Sequence, residues 1–171
     1  MNDNLEVPIR DAATVILLRQ KKDSTCVLMG QRGNNAAFMP SKYVFPGGAV
    51  DEDDTNVELL KSIDKKGIDL LHKYSEKKIA KELSVAAIRE LWEEAGLRLC
   101  TKVDRVSEIS PGWEDFCNDC YSPDASNLEY VFRAITPPGR PRRFDARFFI
   151  CRAETVHGNL DDFSSASTEL S

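Results

Sequence analysis

Three glutamates, Glu90, Glu93 and Glu94, follow directly on Arg89 in a stretch with helical composition. At the ideal helical advance they fall within an arc of about 100°, with Arg89 beside it. Val85, Ile88, Leu91, Trp92 and Ala95 take the opposite side, so one face can pack while the other is acidic. Carboxylates at these spacings repel by roughly a few tenths of a kcal/mol, and Arg89 offsets only part of that. Such a face suits a hard divalent ion, Mg2+ or Mn2+, which takes oxygen ligands and needs one or two carboxylates plus substrate phosphate oxygens. The bland alternative is a solvated acidic surface.

A rigid element must carry these groups. Ile79–Ala95 reads as one helix, and Gly96 stands where a left-handed stop belongs. Ala12–Arg19 and Ser24–Gln31 are β-branched and apolar, and the polar Gln20–Asp23 between them suggests an antiparallel hairpin. Gly33–Lys42 reads as a loop and Tyr43–Phe45 as a short strand before Pro46, Gly47 and Gly48. The paired glycines permit a sharp turn or a close approach to a ligand. Asp51–Asp54 is an acidic turn, and the charged segment from about 52 to 78 has the character of an insertion with one or two short helices. Beyond the helix come a strand near Leu97–Val103, a break at Pro111–Gly112 and a short helix around Trp113–Tyr121. Strands Glu129–Ile135 and Arg147–Arg152 are joined by the exposed loop Thr136–Asp145, and Gly158–Ser171 reads as a mobile tail.

The 171 residues, 42% hydrophobic and 30% charged, correspond to one soluble domain able to bury its own core. A net charge of -5 offers no basic footprint for a nucleic-acid backbone. Apolar runs such as Ala12–Leu18 are far shorter than the roughly 20 residues that cross a bilayer, which excludes a membrane span and favours a cytoplasmic location. The five cysteines are an odd set without framework spacing, as expected of reduced thiols. Cys117 and Cys120 form a CxxC, but with only His72 and His157 to complete a zinc site, ordinary partly buried thiols are the better reading.

The run Arg89-Glu90-Leu91-Trp92-Glu93-Glu94-Ala95-Gly96-Leu97 resembles the core of the Nudix box, and Val44-Phe45-Pro46-Gly47-Gly48 upstream adds independent support. The resemblance implies an α/β/α sandwich with a mixed sheet, and hydrolysis of a pyrophosphate bond in a nucleoside diphosphate linked to another moiety. It implies Mg2+ or Mn2+ held by Glu90, Glu93, Glu94 and the carbonyl of Gly48. Arg89 would hold a glutamate in place, and Glu93 and Glu94 would join it as catalytic residues, with Glu93 the first choice of general base. Glu108, Glu114 and Asp115 are alternatives near the Pro111–Gly112 break.

An uninterrupted box would place its arginine at position 62, whereas Arg89 stands 27 residues further on. The family's first glutamate aligns with Lys81, so Glu82, Asp51 or Glu52 would have to take its supporting role. This interruption resembles the branch that includes peroxisomal coenzyme A diphosphatases and bacterial relatives, over about Ala12 to Arg152. Within that branch Arg32 matches a position associated with coenzyme A, although Asn35, Ala36 and Ala37 replace its internal arginine. Chains of that type normally continue into a further strand and C-terminal helix, so the expectation is that this sequence is either truncated or organised differently there.

Arg140, Arg142 and Arg143, with Asp145, could be brought to the mouth of the site, where arginine forks bind phosphate; surface charge pairing with the acidic body is the equal alternative. Trp113 and Phe116 could stack on an adenine or belong to the core. The expected partner is a small-molecule nucleotide, not nucleic acid or membrane, and a homodimer is compatible with the resemblance. A non-catalytic, nucleotide-sensing domain is the main rival, and a structural helical module a third reading that would not explain the glutamates beside VFPGG.

Overall fold

The computed structural model of the chain describes residues 7–31 and 42–162. Arg32, most of the Gly33–Lys42 arm and the tail from residue 163 lie outside the described residues. In chain order the elements are β1 (Ile9–Lys21), β2 (Ser24–Val27), β3 (Gly30–Gln31), β4 (Tyr43–Val44) and β5 (Gly47–Ala49). They continue with helices α1 (Lys65–Lys73) and α2 (Ala80–Ala95), then β6 (Cys100–Lys102), β7 (Tyr121–Pro123), β8 (Glu129–Ile135) and β9 (Arg143–Arg152).

β1 organises the fold. One edge pairs in parallel with β9, from Ile9 opposite Arg143 to Leu18 opposite Arg152. Its other edge is shared antiparallel by β5 at Ala12–Thr14 and by β2 at Leu18–Lys21. β8 lies antiparallel on β9, giving the mixed sheet and α/β class expected. The order follows from alternation: Ala13, Val15 and Leu17 are buried on one face, facing α2 across a core with Val85, Ile88 and Leu91.

α2 forms because its apolar positions recur at helical spacing, and it ends at Gly96, whose φ of 66° lets its N–H return to the Trp92 carbonyl. α1 begins at Asp64, whose side chain accepts from the Gly67 N–H at 2.8 Å. It lies against β8, within the segment read as an insertion. The backbone at Leu60 and Ala125 bonds to Pro123 and Lys61 respectively, fastening that segment to the chain after β7.

Several elements differ from the sequence expectation. Ser24–Gln31 is two strands, β2 and β3, because β3 leaves β1 to pair with β4. Gly47 and Gly48 belong to a strand, not a turn; neither has positive φ, and their lack of side chains serves close approach. Trp113–Tyr121 holds no α-helix, only a three-residue 3-10 segment at Asn118–Cys120 with non-helical backbone inside it. One turn closes, Cys117 N–H to the Trp113 carbonyl, but Asp119 and Cys120 then adopt positive φ and the chain passes into β7. The last strand begins at Arg143 rather than Arg147, so Arg143 and Asp145 are strand residues and buried.

Asp124, 2% exposed, braces the β6–β7 pair by accepting from Thr101 Oγ1 at 2.8 Å and the Ser126 N–H at 2.9 Å. Burial alone would raise its carboxyl, yet these hydrogen bonds and the Lys61 charge hold it below the ordinary 3.8. An acid whose folded value is lowered stabilises the fold above its unfolded value and loses that contribution as pH falls through the folded one. The wild type should therefore lose more urea resistance between pH 6 and pH 2.5 than Asp124→Asn, as urea midpoints at the two pH values would show; equal losses would remove Asp124 from the acid limb.

Candidate functional site

The glutamate face of α2 meets β5. Gly47 donates its N–H to Glu94 Oε2 at 2.9 Å. A Cβ built on Gly48 would lie 2.2 Å from Glu90 Oε1, so only glycine leaves room for that carboxylate. Residues 47–48 and 90–94, far apart in sequence, thus form one surface. Glu94 is buried, Glu90 is mostly buried and Glu93 is 47% exposed.

Arg89 occupies the middle of this surface. Its Nε and Nη2 donate to the two oxygens of Asp54 at 2.9 and 3.0 Å, a fork that matches the planar guanidinium. Nη2 also reaches the Ala49 carbonyl at 2.9 Å, and Nη1 lies 2.8 Å from Glu90 and 3.4 Å from Glu93. Burial would weaken its hold on the proton, but Asp54 and Glu90 more than reverse that, so it stays charged. Asp54 is 1% exposed and accepts from the Asp51 N–H at 2.8 Å, closing a reciprocal cap on the 3-10 turn Glu52–Asn56. Asp51 is 3.7 Å from Arg89 and 3.6 Å from Arg10.

Four carboxylates, Asp51, Asp54, Glu90 and Glu93, therefore surround Arg89. Burial, then the neighbouring Glu93 and Asp51 charges, push the Glu90 carboxyl up, and Arg89 only partly opposes this. The donor set is oxygen-only and carries excess negative charge, which fits a hard cation. Among the described residues no three His, Cys, Asp or Glu side chains converge as a ready-made cage; the guanidinium stands between Glu90 and Glu93.

The other candidates are placed as follows. Arg142 is exposed in the β8–β9 connection, immediately before β9. Arg143 is buried, with its Nε donating to the Thr136 carbonyl at 3.1 Å. Asp145 is bound by both Arg133 and Arg147. Arg143 and Asp145 are thus engaged within the sheet instead of standing in an exposed loop. Glu108, Glu114 and Asp115 are exposed. Trp113 and Phe116 are buried against Trp92, with ring centroids 6.3 and 5.3 Å away, and belong to the core. Lys81, at the position of the missing box glutamate, pairs with Glu58 at 2.9 Å. The acid that supports Arg89 is Asp54, which sequence reasoning passed over; the Asp51-x-x-Asp54 spacing at a turn was the available signal.

No family model matches the chain. A Caenorhabditis elegans protein named "Putative nudix hydrolase 7" is 32% identical over 152 residues, covering 82% of this chain and 43% of its own length. The chain therefore spans less than half of the curated relative it matches. The crystal structure of a NUDIX hydrolase from Alicyclobacillus acidocaldarius is 25% identical, covers 89% of this chain and 75% of that one, and superposes with a TM-score of 0.66. The MutT protein from Methanosarcina mazei Go1 shares the fold at 15% identity, with 96% and 76% coverage and a TM-score of 0.50. The chain thus shares the fold of these structures, here a mixed sheet with α2 packed on it. In sequence and in fold the chain is similar to Nudix hydrolases.

Proposed function

We propose that this chain hydrolyses a pyrophosphate bond in a nucleoside diphosphate linked to another moiety, in a reaction that requires Mg2+ or Mn2+. The observation that carries the reading is the contact of Glu90 and Glu94 with Gly48 and Gly47, which joins the acidic helix to the strand despite the intervening insertion. Glu90, Glu93, Glu94 and the Gly48 carbonyl would hold the cation. A bound cation would neutralise the diphosphate oxygens and make water a better nucleophile.

This chain's own groups do the rest. Arg89 fixes Glu90, and Glu94 fixes Gly47, so that the acidic surface is organised before substrate arrives. Glu93, the most exposed of the three glutamates, takes the proton of the attacking water. The new P–O bond forms as the bridging P–O bond breaks, giving a nucleoside monophosphate and the phosphorylated second moiety. Coenzyme A or a related ADP-containing metabolite is the substrate to try first, because FPGG-x-x-D followed by an insertion characterises the branch this sequence resembles. Arg142, exposed on its hairpin, is the remaining candidate of the arginine loop for a phosphate contact, and Arg32 is carried as a coenzyme A contact on its spacing alone. Among the described residues no helix is long and apolar enough to cross a bilayer, and a cytoplasmic site of action is proposed from the odd, unframed set of cysteines.

Product release from coenzyme A, ADP-ribose, NADH and dinucleoside polyphosphates, with and without Mg2+ or Mn2+, tests the reading. Turnover should require the metal, and Glu93→Gln should lower kcat by about 10² to 10³, the range for removing one general base or charge-stabilising group. Metal-independent binding without turnover on any of these compounds would instead favour a nucleotide sensor.

A further inference from the structure

The insertion leaves the sheet after β5 and returns just ahead of α2, and one residue of β1 touches both crossings. The Asp11 carbonyl accepts from the Val50 N–H at 2.9 Å on the way out. Its carboxylate accepts from Lys77 Nζ at 2.5 Å on the way back, and α2 begins at Ala80. The second carboxylate oxygen is held by Arg147 Nη1 at 2.5 Å.

This is no casual surface pair. Arg147 is 2% exposed, with its Nη1 also on the Asp145 carbonyl at 2.7 Å and its Nη2 3.2 Å from the Asp145 carboxylate. Asp145 in turn takes a two-pronged contact from Arg133 at 2.6 Å, and Arg133 also donates to the Tyr74 carbonyl in the insertion. The sheet register aligns Gly48, Ala13, Arg147 and Arg133 in one row, so the network lies on the same face as the Glu90 contact. Burial of Asp11 opposes its charge, but Lys77 and Arg147 prevail and hold its carboxyl below the ordinary value. Buried ion networks of this kind add little net stability over apolar packing, and their best-attested use is to fix a register.

A register device is needed here. A short loop between Gly48 and Arg89 would dictate by its length where the helix lies, whereas the long connection present leaves that undetermined by covalent geometry, since loop closure depends only weakly on length. We propose that Asp11 is a positioning residue for the hydrolytic site: by clamping the entry and exit of the insertion it delivers α2 with Glu90 seated on Gly48. The inference rests on the hydrolase reading above for its functional consequence, but not for the clamp itself.

Lys77→Met removes the exit contact while leaving the buried Asp11–Arg147 pair intact, and so avoids the misfolding that Asp11→Ala could bring. Amide hydrogen exchange on the full chain should be faster by about fivefold in residues 74–82 and in β5, the change a partly exposed ion pair commands. The Mg2+ concentration giving half-maximal turnover should rise by a similar factor, also about fivefold, with the substrate KM at saturating Mg2+ unchanged. Lys77→Arg should restore both. Arg19→Ala, which breaks the Arg19–Asp161 pair elsewhere on the surface, should change neither. Native exchange in β5 and α2 for Lys77→Met, or failure of Lys77→Arg to restore it, would overturn the clamp. If the native protein turned over none of the diphosphates, the hydrolase reading would fall, and the exchange comparison would still decide the clamp.

Discussion

Arg89→Leu should lower folding stability by about 3–5 kcal/mol, the cost of leaving a buried charge without its partner. The reason is Asp54, which is 1% exposed and takes the forked contact from Arg89. For a chain of this size the melting temperature should fall by roughly 10 °C, measured by circular dichroism at pH 7. Arg89→Lys keeps the charge but not the fork, and should fall between the two. A leucine variant as stable as the native protein would show that the Asp54 contact does not exist in solution. Activity should be lost in both variants, because Glu90 and the Ala49 carbonyl lose the same donor.

The two glycines of β5 should separate stability from activity. A Cβ at Gly47 would meet the Ala13 carbonyl at 2.6 Å and Thr14 Cα at 2.8 Å. Those are backbone atoms of the central strand and cannot yield, so Gly47→Ala should cost about 1–3 kcal/mol or more in stability. At Gly48 the obstacle is the Glu90 carboxylate, the end of a flexible side chain that can swing away. Gly48→Ala should therefore melt within a few degrees of the native protein while its kcat falls about a hundredfold, as expected when a reacting group is misplaced by an ångström. Equal melting losses in the two variants, or a fully active Gly48→Ala, would contradict the packing of α2 on β5.

The helix and its acidic face were legible because both rest on local periodicity: the apolar stripe from Val85 to Ala95 and the stop at Gly96 depend on neighbours three and four residues away. The long strand β1 was legible in part for the same reason. What escaped depends on contacts between distant residues. Gly47–Ala49 carries no β-forming side chains and is a strand only because β1 pairs with it. Trp113 and Phe116 have helical spacing, yet Asp119 and Cys120 in left-handed geometry end the turn, and no local rule marks those two residues for it. Arg143 and Asp145 looked like loop charges because polar residues in a strand are unusual; they are tolerated by the partners that β8 and the Thr136 carbonyl supply. Asp54 was hidden among the acids of one turn, since only the tertiary position of Arg89 distinguishes it from Glu52 or Asp53.

The two ends of the connection 51–76 are both anchored on Asp11, and beyond Asp54, which the site needs, the chain is fastened again by the buried Val57 and Ile63, so the exposed start of α1 at Lys65 and Lys66 is set apart from the glutamate face. Closing a loop twice as long costs only about 0.6 kcal/mol more. That makes the start of α1, and not the turn that holds Asp54, a natural graft point: a reporter or small recognition module placed there would ride on the fold without shifting the distance from Gly48 to Glu90.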